Sequence, residues 1–354
     1  MAALNGSTKL MKIGIRADAS DKIGSGHIMR CLTLANKLAE LGGDITFLCA
    51  ELSNHLHDEI TKHHHSVFEI ETGDLASDIS QCTSLASQVS LDAMIVDHYK
   101  LDYEWENALK DKCNFLIAID DLADRKHECD ILIDQTFGRS AAEYEALTPI
   151  DCEILTGSDF AILRPEFKAL REANLHNRSR QKLENILISL GGADNGSLLL
   201  DILNRLNAIE LSPNTKLTLV AGPNTSHLNK IKDQIEELKF KASHVPNLTN
   251  MAEELSNSDL VIGAAGTSTW ERLCLGVPSY LFIIADNQKL IGERMEKLGA
   301  AKVIKHADQL FIDELDPQSP YLIKTLSSIT KTASNIIDGN GTDRVASKIM
   351  ERIQ

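Results

Sequence analysis

The sequence has no long apolar run and no paired cysteine motif. Its seven cysteines are an odd number spread over 354 residues, and no two of them form a Cys-x-x-Cys pair. Most lie in apolar segments, so we expect reduced core thiols and a cytoplasmic protein. No apolar run approaches the roughly 18–20 residues of a membrane span. Residues 1–10 contain no signal-peptide core, and Met11 is a candidate for the native start.

Basic residues are scarce relative to acidic ones. Lys plus Arg number 36 and Asp plus Glu 51, which gives a net charge of −15. Binding along a nucleic acid or on an anionic membrane surface needs a basic patch, so the composition argues against both partners. A small anionic ligand is compatible with this composition, because a few backbone N–H groups are enough to hold a phosphate.

Short β-branched runs alternate with amphipathic helical stretches along most of the chain. A first series has a helix over about 27–41 and strands at 10–16, 45–49, 67–70, 93–97, 115–119 and 131–133. A second series has helices at 225–239 and 268–275 and strands at 185–190, 217–220, 260–263 and 280–284. The tail from residue 320 predicts one or two helices. Strands that alternate with helices predict parallel sheets covered on both faces.

This rhythm predicts an α/β protein with two Rossmann-like open parallel-sheet domains that face each other across a cleft. We expect the first domain at residues 11–165, a linker at 166–184, and a second domain with C-terminal helices at 185–354. Ligands of open α/β sheets bind outside the carboxyl ends of the strands. Because a fold alone names no reaction, the loops after the strands must indicate the chemistry.

The loop after the first strand is rich in glycine and ends in a histidine. Gly24 and Gly26 permit a tight turn, and His27 stands where the next helix begins. A helix N-terminus favours negative charge, so this junction is a candidate functional site. The dinucleotide pattern Gly-x-Gly-x-x-Gly fails, because Met29 occupies the third position. The alternative is a structural turn with a capping histidine.

Small residues after a strand of the second domain form another candidate site. Thr267 and Ser268, which follow Gly266, can cap the next helix or contact a phosphate. Glu271 lies one turn into that helix and can accept hydrogen bonds from vicinal sugar hydroxyls, with helix capping as the alternative. Asp286–Gln288 follows the next strand and would reach the same crevice.

Four other clusters carry weaker signals. Gly191-Gly192 lies in a strand-to-helix loop that a plain turn explains equally well. Asp97–Tyr99 ends a strand, so some of these side chains should face the cleft. The pair Asp120-Asp121 is a candidate for a divalent metal, although such pairs more often cap turns. His63–His65 has no carboxylate or cysteine at metal-binding spacing, which favours a solvated helix end.

Taken together, these segments resemble the UDP-2,4-diacetamido-2,4,6-trideoxy-β-L-altropyranose hydrolases of the pseudaminic acid pathway. The resemblance runs from about Lys12 to Ala301. The matching segments are Arg16–Ser20, Ile23–Arg30, Val96–Tyr99, Ile119–Asp121, Phe160–Phe167, Ser189–Asp194, Ala265–Glu271 and Asp286–Gln288. Their combination is specific, although each Gly-rich loop alone is not.

The resemblance implies a glycosyltransferase-B (GT-B) architecture, with UDP held by the C-terminal domain and the amino sugar over the N-terminal loop. It implies that His27 is the base that activates water and that Tyr99 lies near this water. Glu271 and Asn287 match family positions that bind the substrate. The predicted substrate-binding residues are Asp18, Gly24, Gly26, Tyr99, Gly191, Gly192, Gly266, Thr267, Ser268, Glu271, Asn287 and Gln288.

The predicted reaction is hydrolysis at the anomeric carbon with inversion, by C–O cleavage, without a cofactor or a metal. UDP is a good leaving group, so the two carboxylates of most glycosidases are not required. A single histidine base suffices, because histidine changes charge near neutral pH. The expected partners are a UDP-sugar substrate and the UDP product, and the expected state is a monomer.

Three alternatives stay open. A glycosyltransferase of the same architecture would transfer the sugar to an acceptor instead of water. The enzymes of this kind that act on lipid carriers usually need a basic or apolar membrane-facing patch, against which the acidic charge weighs. A nucleotide-sugar-binding protein without turnover is the second alternative. The third is a hydrolase for a related UDP-diamino sugar, or one from spore-coat polysaccharide synthesis.

Overall fold

The computed structural model describes residues 10–19, 24–178, 183–191, 195–209, 211–246, 248, 250–311 and 319–353. The chain divides into two compact units. The first unit comprises Met1–Ile162 together with Gly341–Gln354, and the second unit comprises Leu163–Asn340. Each unit contains a parallel sheet with helices, which confirms the predicted α/β fold class. Within the described residues, no helix is both long enough and apolar enough to cross a membrane.

The first unit is built on a seven-stranded sheet in the order β3-β2-β1-β4-β5-β6-β7. Every neighbouring pair in it is parallel. Its strands are β1 Met11–Ala17, β2 Gly43–Cys49, β3 Ser66–Glu69, β4 Ala93–Asp97, β5 Phe115–Ile119, β6 Ile131–Asp134 and β7 Glu153–Thr156. Its helices before the second unit are α1 Gly26–Glu40, α2 Asn54–Lys62, α3 Leu75–Val89 and α4 Tyr103–Leu109.

The strands of the first unit alternate their side chains between two cores. Ile13 and Ile95 belong to the core that also contains Cys31 of α1. Met94, one position along β4, belongs instead to the core that contains Trp105 of α4. Successive side chains of a strand point to opposite faces, so a sheet covered on both faces needs continuous apolar runs. Strand β4 is therefore covered by apolar side chains on both of its faces.

The second unit is built on a six-stranded parallel sheet in the order β10-β9-β8-β11-β12-β13. Its strands are β8 Asn185–Ser189, β9 Lys216–Val220, β10 Lys241–Val245, β11 Leu260–Ala264, β12 Ser279–Phe282 and β13 Lys302–Val303. Its helices are α5 Pro165–Asn177, α6 Gly196–Ala208, α7 Leu228–Glu236, α8 Met251–Asn257, α9 Ser268–Cys274, α10 Lys289–Leu298 and α11 Pro320–Ala333.

The stretch predicted as a linker at 166–184 is largely the helix α5 of the second unit. Arg178, just beyond α5, donates to the backbone carbonyls of Leu255, Ser258 and Leu275 over 2.8, 2.8 and 3.1 Å. These carbonyls lie at the ends of α8 and α9, where helix carbonyls lack partners within the helix. Burial lowers the pKa of Arg178 to about 10. Arg178 therefore anchors the C-terminal end of α5, while residues 179–182 lie outside the described residues.

The last helix, α12 at Gly341–Ile353, belongs to the first unit and not to the second domain, where the sequence analysis put it. Its apolar side chains Val345, Ala346 and Ile349 share a core with those of β1 and α1. Arg344 also donates to the Asp159 carbonyl over 2.9 Å. The apolar spacing predicts the helix correctly, but it carries no information about which sheet the apolar face covers.

Candidate active site

Both sheets reverse their strand order next to a central strand, at the point where open α/β proteins bind ligands. In the first unit this point lies between β1 and β4, and in the second between β8 and β11. Segments singled out by the sequence analysis follow these four strands. They are the loop to His27 after β1, Asp97–Tyr99 at the end of β4, Gly191 after β8, and Gly266–Ser268 after β11.

His27 lies in the first turn of α1 and is paired with the carboxylate at the end of β4. Its Nδ1 lies 2.5 Å from Asp97 Oδ1, and both side chains are buried. Because an ionised carboxylate only accepts hydrogen bonds, Nδ1 carries the proton in this pair. The other ring nitrogen, Nε2, is thereby left as an acceptor. A carboxylate that fixes the tautomer of a histidine in this way is the arrangement of a general base.

Arg30, one turn after His27 on α1, holds the same carboxylate with two hydrogen bonds. Its Nε lies 2.9 Å from Asp97 Oδ2 and its Nη2 lies 2.6 Å from Asp97 Oδ1. Burial alone would raise the pKa of Asp97, but the charges and hydrogen bonds of Arg30 and His27 hold this pKa below its usual range. Asp97 is therefore ionised at neutral pH, as a partner for the His27 proton must be.

Tyr99 flanks His27 and is more exposed than its neighbours. The two rings meet edge to face, with centroids 4.8 Å apart and planes at 89°. The exposed fraction of Tyr99 is 36%. Its hydroxyl donates to Asp121 Oδ2 over 3.2 Å. The structure thus brings His27 and Tyr99 into contact at this edge of the sheet.

The two carboxylates of the predicted metal pair have different surroundings. Asp120 is buried and accepts hydrogen bonds from the Ala123 backbone over 2.8 Å and from the Tyr144 hydroxyl over 2.8 Å. It also pairs with Arg125 Nη1 at 2.8 Å. Burial would raise the pKa of Asp120, but the Arg125 charge and these hydrogen bonds lower it. Asp120 is therefore part of the turn after β5. The pKa of Asp121 shifts in the opposite direction, because burial raises it.

Histidine, cysteine and acidic residues form no group of three that suits a metal ion anywhere in the described parts of the chain. In the tract His63–His65, His63 lies exposed at the end of α2. His65 is buried and its Nε2 lies 2.8 Å from Asn36 Oδ1. The tract is thus divided between the surface and a buried hydrogen bond.

Asp18, a predicted substrate-binding residue, is buried in an ion pair. Arg16 Nη1 and Nη2 donate to its two oxygens over 2.6 and 2.9 Å, and the Ala50 backbone donates over 2.7 Å. His98 Nε2 lies 3.4 Å from the carboxylate. Burial would raise the pKa of Asp18, but these hydrogen bonds and the Arg16 charge lower it. In this arrangement Asp18 joins the ends of β1 and β2.

The glycine loop before His27 is described only in part. Gly24 has a φ of +78°, a left-handed conformation that favours glycine, and a Cβ there would meet no described atom within 4 Å. The backbone conformation therefore explains why glycine occupies position 24, and a close contact does not. Gly26 is the first residue of α1. Residues 20–23 lie outside the described residues.

The loops of the second unit carry small residues close to the sheet edge. Gly191 has a φ of +87° and is exposed, while Gly192 lies outside the described residues. Thr267 precedes α9, and its side chain makes no capping hydrogen bond to the described backbone there. Ser268 is the first residue of α9. The sequence analysis predicted that these hydroxyls either cap the helix or contact a phosphate. The Thr267 hydroxyl does not cap α9.

Glu271 is paired with an arginine and does not cap its helix. Its carboxylate accepts from Arg164 Nη2 over 3.2 Å, and about a fifth of the side chain, 21%, is exposed. Burial raises the pKa of Glu271, and the charge and hydrogen bond of Arg164 offset this only in part. The arginine also lies 3.3 Å from Glu166. Glu271 therefore presents a partly exposed acceptor next to the loop after β11.

Arg272 lies buried beneath the same loop. Its Nη2 donates to the Ala264 carbonyl over 2.6 Å and to Thr269 Oγ1 over 2.9 Å. A Cβ on Gly263 would lie 2.5 Å from Arg272 Nη1 and 3.0 Å from the Ser189 carbonyl oxygen, so a side chain at this position would displace the arginine. Burial lowers the pKa of Arg272 to about 10, against the opposing effect of the Glu271 charge. The side chain fixes the path of the backbone that leads to Gly266.

The predicted Asn287 and Gln288 lie in a short 3-10 turn after β12. Gln288 Oε1 accepts from the Ile284 backbone over 3.1 Å, and its Nε2 lies 3.7 Å from where a Cβ on Gly266 would stand. Gln288 thus lies close to Gly266 in the loop after β11. Asn287 is exposed.

Three arginines of these sites escape the sequence analysis as functional residues. Arg30 follows His27 by three positions, a helical spacing that places both on one face, so this pair carries a usable signal. Arg164 lies 107 residues from Glu271, and Arg272 acts on a backbone carbonyl. Neither of these contacts leaves a pattern in the sequence.

Comparison with known proteins agrees with this two-unit organisation. Residues 181–333 match the Glycosyltransferase family 28 C-terminal domain. The solved structure of MurG from Acinetobacter baumannii superposes with a TM-score of 0.70 and 15% identity, over 97% of this chain and 99% of that chain. The fold is GT-B.

Two further similarities accompany the GT-B fold. The UDP-2,4-diacetamido-2,4,6-trideoxy-β-L-altropyranose hydrolase of Campylobacter jejuni is 28% identical over 293 residues, 82% of this chain and 97% of the relative. The structure of UDP-GlcNAc 2-epimerase from Neisseria meningitidis, bound to UDP-GlcNAc, has a TM-score of 0.66 and 14% identity, over 96% of this chain and all, 100%, of that chain. At these structural identities the likeness shows the fold alone.

Proposed function

We propose that this protein hydrolyses a UDP-sugar, with UDP-2,4-diacetamido-2,4,6-trideoxy-β-L-altropyranose as the substrate. The observation that carries the proposal is the 2.5 Å contact between His27 Nδ1 and Asp97 at the edge of the first sheet. It supports a base with an accepting Nε2 at the site where a GT-B protein would hold a sugar. The similarity to the Campylobacter jejuni hydrolase, over 82% of this chain, supports the choice of substrate.

In the proposed reaction His27 acts on water. Nε2 takes a proton from the water molecule while the water oxygen attacks the anomeric carbon. The bond from this carbon to the diphosphate oxygen breaks, and its electron pair leaves with UDP. The developing imidazolium is stabilised by ionised Asp97, which already accepts from Nδ1. The products are UDP and the free sugar with inverted anomeric configuration.

The second unit is proposed to hold the nucleotide. The backbone at Gly266–Ser268 and the Gly191 loop supply N–H groups for the diphosphate. The partly exposed Glu271 accepts hydrogen bonds from the ribose hydroxyls, and Asn287 and Gln288 contact the substrate from the turn after β12. The match of residues 181–333 to a glycosyltransferase domain supports this division of labour. Gly24, Gly26 and Asp18 shape the sugar side of the substrate site.

A glycosyltransferase is the second candidate function. It is favoured by the same family 28 match and by the structural likeness to MurG. The two candidates differ in the acceptor, which is water in one and a second molecule in the other. Hydrolysis of a UDP-sugar in the absence of any acceptor therefore separates them, and a protein that only binds nucleotide sugars would release neither product.

The test follows UDP and free sugar together, with candidate UDP-diacetamido sugars as substrates and excess chelator in a parallel reaction. We expect equal release of both products, unaffected by the chelator, because both carboxylates of the Asp120-Asp121 pair already accept hydrogen bonds from protein donors. In ¹⁸O-labelled water the label should enter the sugar and leave UDP unlabelled. Label in UDP would mean attack at phosphorus, and no product without an acceptor would favour the transferase.

A further inference from the structure

Asp121 contacts Tyr99, and Tyr99 in turn lies beside the proposed water site. Asp121 Oδ2 accepts the hydrogen bond of the Tyr99 hydroxyl at 3.2 Å. Its other oxygen, Oδ1, is buried and has no hydrogen-bond partner among the described residues. The guanidinium nitrogen Arg30 Nη1 lies 4.0 Å from Oδ2. The Asp121 carboxylate is thus hydrogen-bonded to Tyr99. Among the described residues, its ion pair with Arg30 is no closer than 4.0 Å.

This contact decides what the Tyr99 hydroxyl can offer to a water molecule. A phenol has one proton and two lone pairs. When the proton is given to Asp121, the Tyr99 oxygen faces the site as an acceptor, and His27 Nε2 is an acceptor beside it. Water between two acceptors directs both of its protons at them. Its lone pair then points away from both groups, in the direction of a third atom.

Resting on the proposed function, we infer that Asp121 is a positioning residue for hydrolysis, which acts through Tyr99. Asp121 fixes the phenol proton, Tyr99 and His27 then hold one water by its two protons, and the water oxygen is aimed at the anomeric carbon. Asp121 itself touches neither the water nor the sugar. Orientation of this kind is worth about a hundredfold in rate when a reacting group is misplaced by about 1 Å.

A double-mutant cycle tests the link through turnover of the UDP-diacetamido sugar. Asp121→Ala and Tyr99→Phe should each lower kcat about tenfold to a hundredfold, with KM changed much less. The double variant should be no slower than the slower single variant, because both changes remove the same orientation. Asp124→Ala is the matched control, since Asp124 lies in the same loop with a side chain 61% exposed. This control should keep full activity.

A second measurement needs no substrate. The difference in near-ultraviolet absorbance between the protein and Tyr99→Phe isolates the ionisation of Tyr99 among the five tyrosines. Asp121→Asn removes a negative charge that opposes the phenolate, so it should lower the pKa of Tyr99 by about one unit. The other charged or titratable groups nearby, namely His27, Arg30, Asp97, Asp120 and Asp134, are unchanged in this variant. Asp124→Asn should leave the titration of Tyr99 where it was.

The outcomes separate this inference from the proposed function. A wild-type protein that releases no product from any UDP-sugar overturns the proposed function, while the titration still decides whether Asp121 controls the Tyr99 proton. Losses that multiply in the double variant would mean that Asp121 acts independently of Tyr99. An unchanged Tyr99 titration in Asp121→Asn would likewise overturn the inference.

Discussion

The two units share one strand topology but place different chemistry at the same point of it. At the reversal point of the first sheet, titratable and charged side chains meet, namely His27, Arg30, Asp97 and Tyr99 with Asp121 behind it. At the corresponding point of the second sheet the loop residues are small, and the charged pair Glu271 and Arg164 stands beside them.

The two sites also differ in the free-energy cost of burying their charged side chains. A buried carboxylate such as Asp97 loses its hydration and is stable only with well-placed partners. Arg30 and His27 supply those partners. A loop of small residues has no such desolvation cost. We therefore expect changes in the first unit to affect turnover, and changes in the second to affect nucleotide binding.

The largest expected effect is at His27. His27→Asn should lower turnover of the UDP-sugar by about 10²–10⁴-fold, because it removes the base, and should leave the affinity for UDP unchanged. Calorimetry with UDP and product assays measure the two quantities separately. His63→Asn is the control, since His63 lies at the exposed end of α2. Near-full turnover in His27→Asn would contradict the assigned base.

Replacing Asp97 should change both the free energy of unfolding and its dependence on pH. Asp97→Asn leaves the buried Arg30 without its closest charge partner, at a cost on the order of 3 kcal/mol in the free energy of unfolding. The native pKa of Asp97 is lowered below the unfolded value of about 3.9. Its contribution to stability is therefore complete above about pH 5 and is lost as the pH falls towards the native pKa.

Denaturant titrations at several pH values measure this contribution. The variant should lose less stability than the wild type between neutral pH and about pH 3. Asp58→Asn is the control, because the Asp58 side chain is 83% exposed. A variant with the same pH dependence as the wild type would mean that Asp97 does not contribute to acid sensitivity.

The smallest of the three effects is expected in the second unit. Glu271→Ala should weaken UDP binding about tenfold or more, since hydrogen bonds to a charged group contribute about 1.5–3 kcal/mol and each decade of affinity corresponds to about 1.4 kcal/mol. Glu166→Ala is a matched control, because Glu166 contacts the same arginine at 3.3 Å. Equal weakening in both variants would show that the effect acts through Arg164, and unchanged affinity would remove Glu271 from nucleotide binding.

The central strands were readable from the sequence, and several edge strands were not. The predicted bounds of β4 and β5, 93–97 and 115–119, agree with the structure, because both strands are buried on two faces and read as continuous apolar runs. The sequence analysis missed β7, β10 and β13, which lie at the edges of their sheets. An edge strand such as β10, Lys241–Val245, is less covered and needs few apolar residues, so its sequence carries a weak signal.

The first site was readable only in part. The glycine loop and the start of α1 indicated His27, and the helical spacing to Arg30 was available in the sequence. The partner Asp97 lies 70 residues from His27, and only the parallel pairing of β1 with β4 brings the two together. Asp18 was predicted to bind the substrate, but whether a carboxylate is engaged by Arg16 depends on packing that spacing does not encode.

The placement of α12 has a consequence for how the chain is made. The second unit is continuous in sequence, from Leu163 to Asn340, whereas the first unit is completed only by Gly341–Gln354. During synthesis the second unit can therefore fold while the first still exposes the apolar surface that Val345 and Ile349 later cover. The helix that carries His27 therefore acquires its final packing, against α12, only after the whole second unit has been translated.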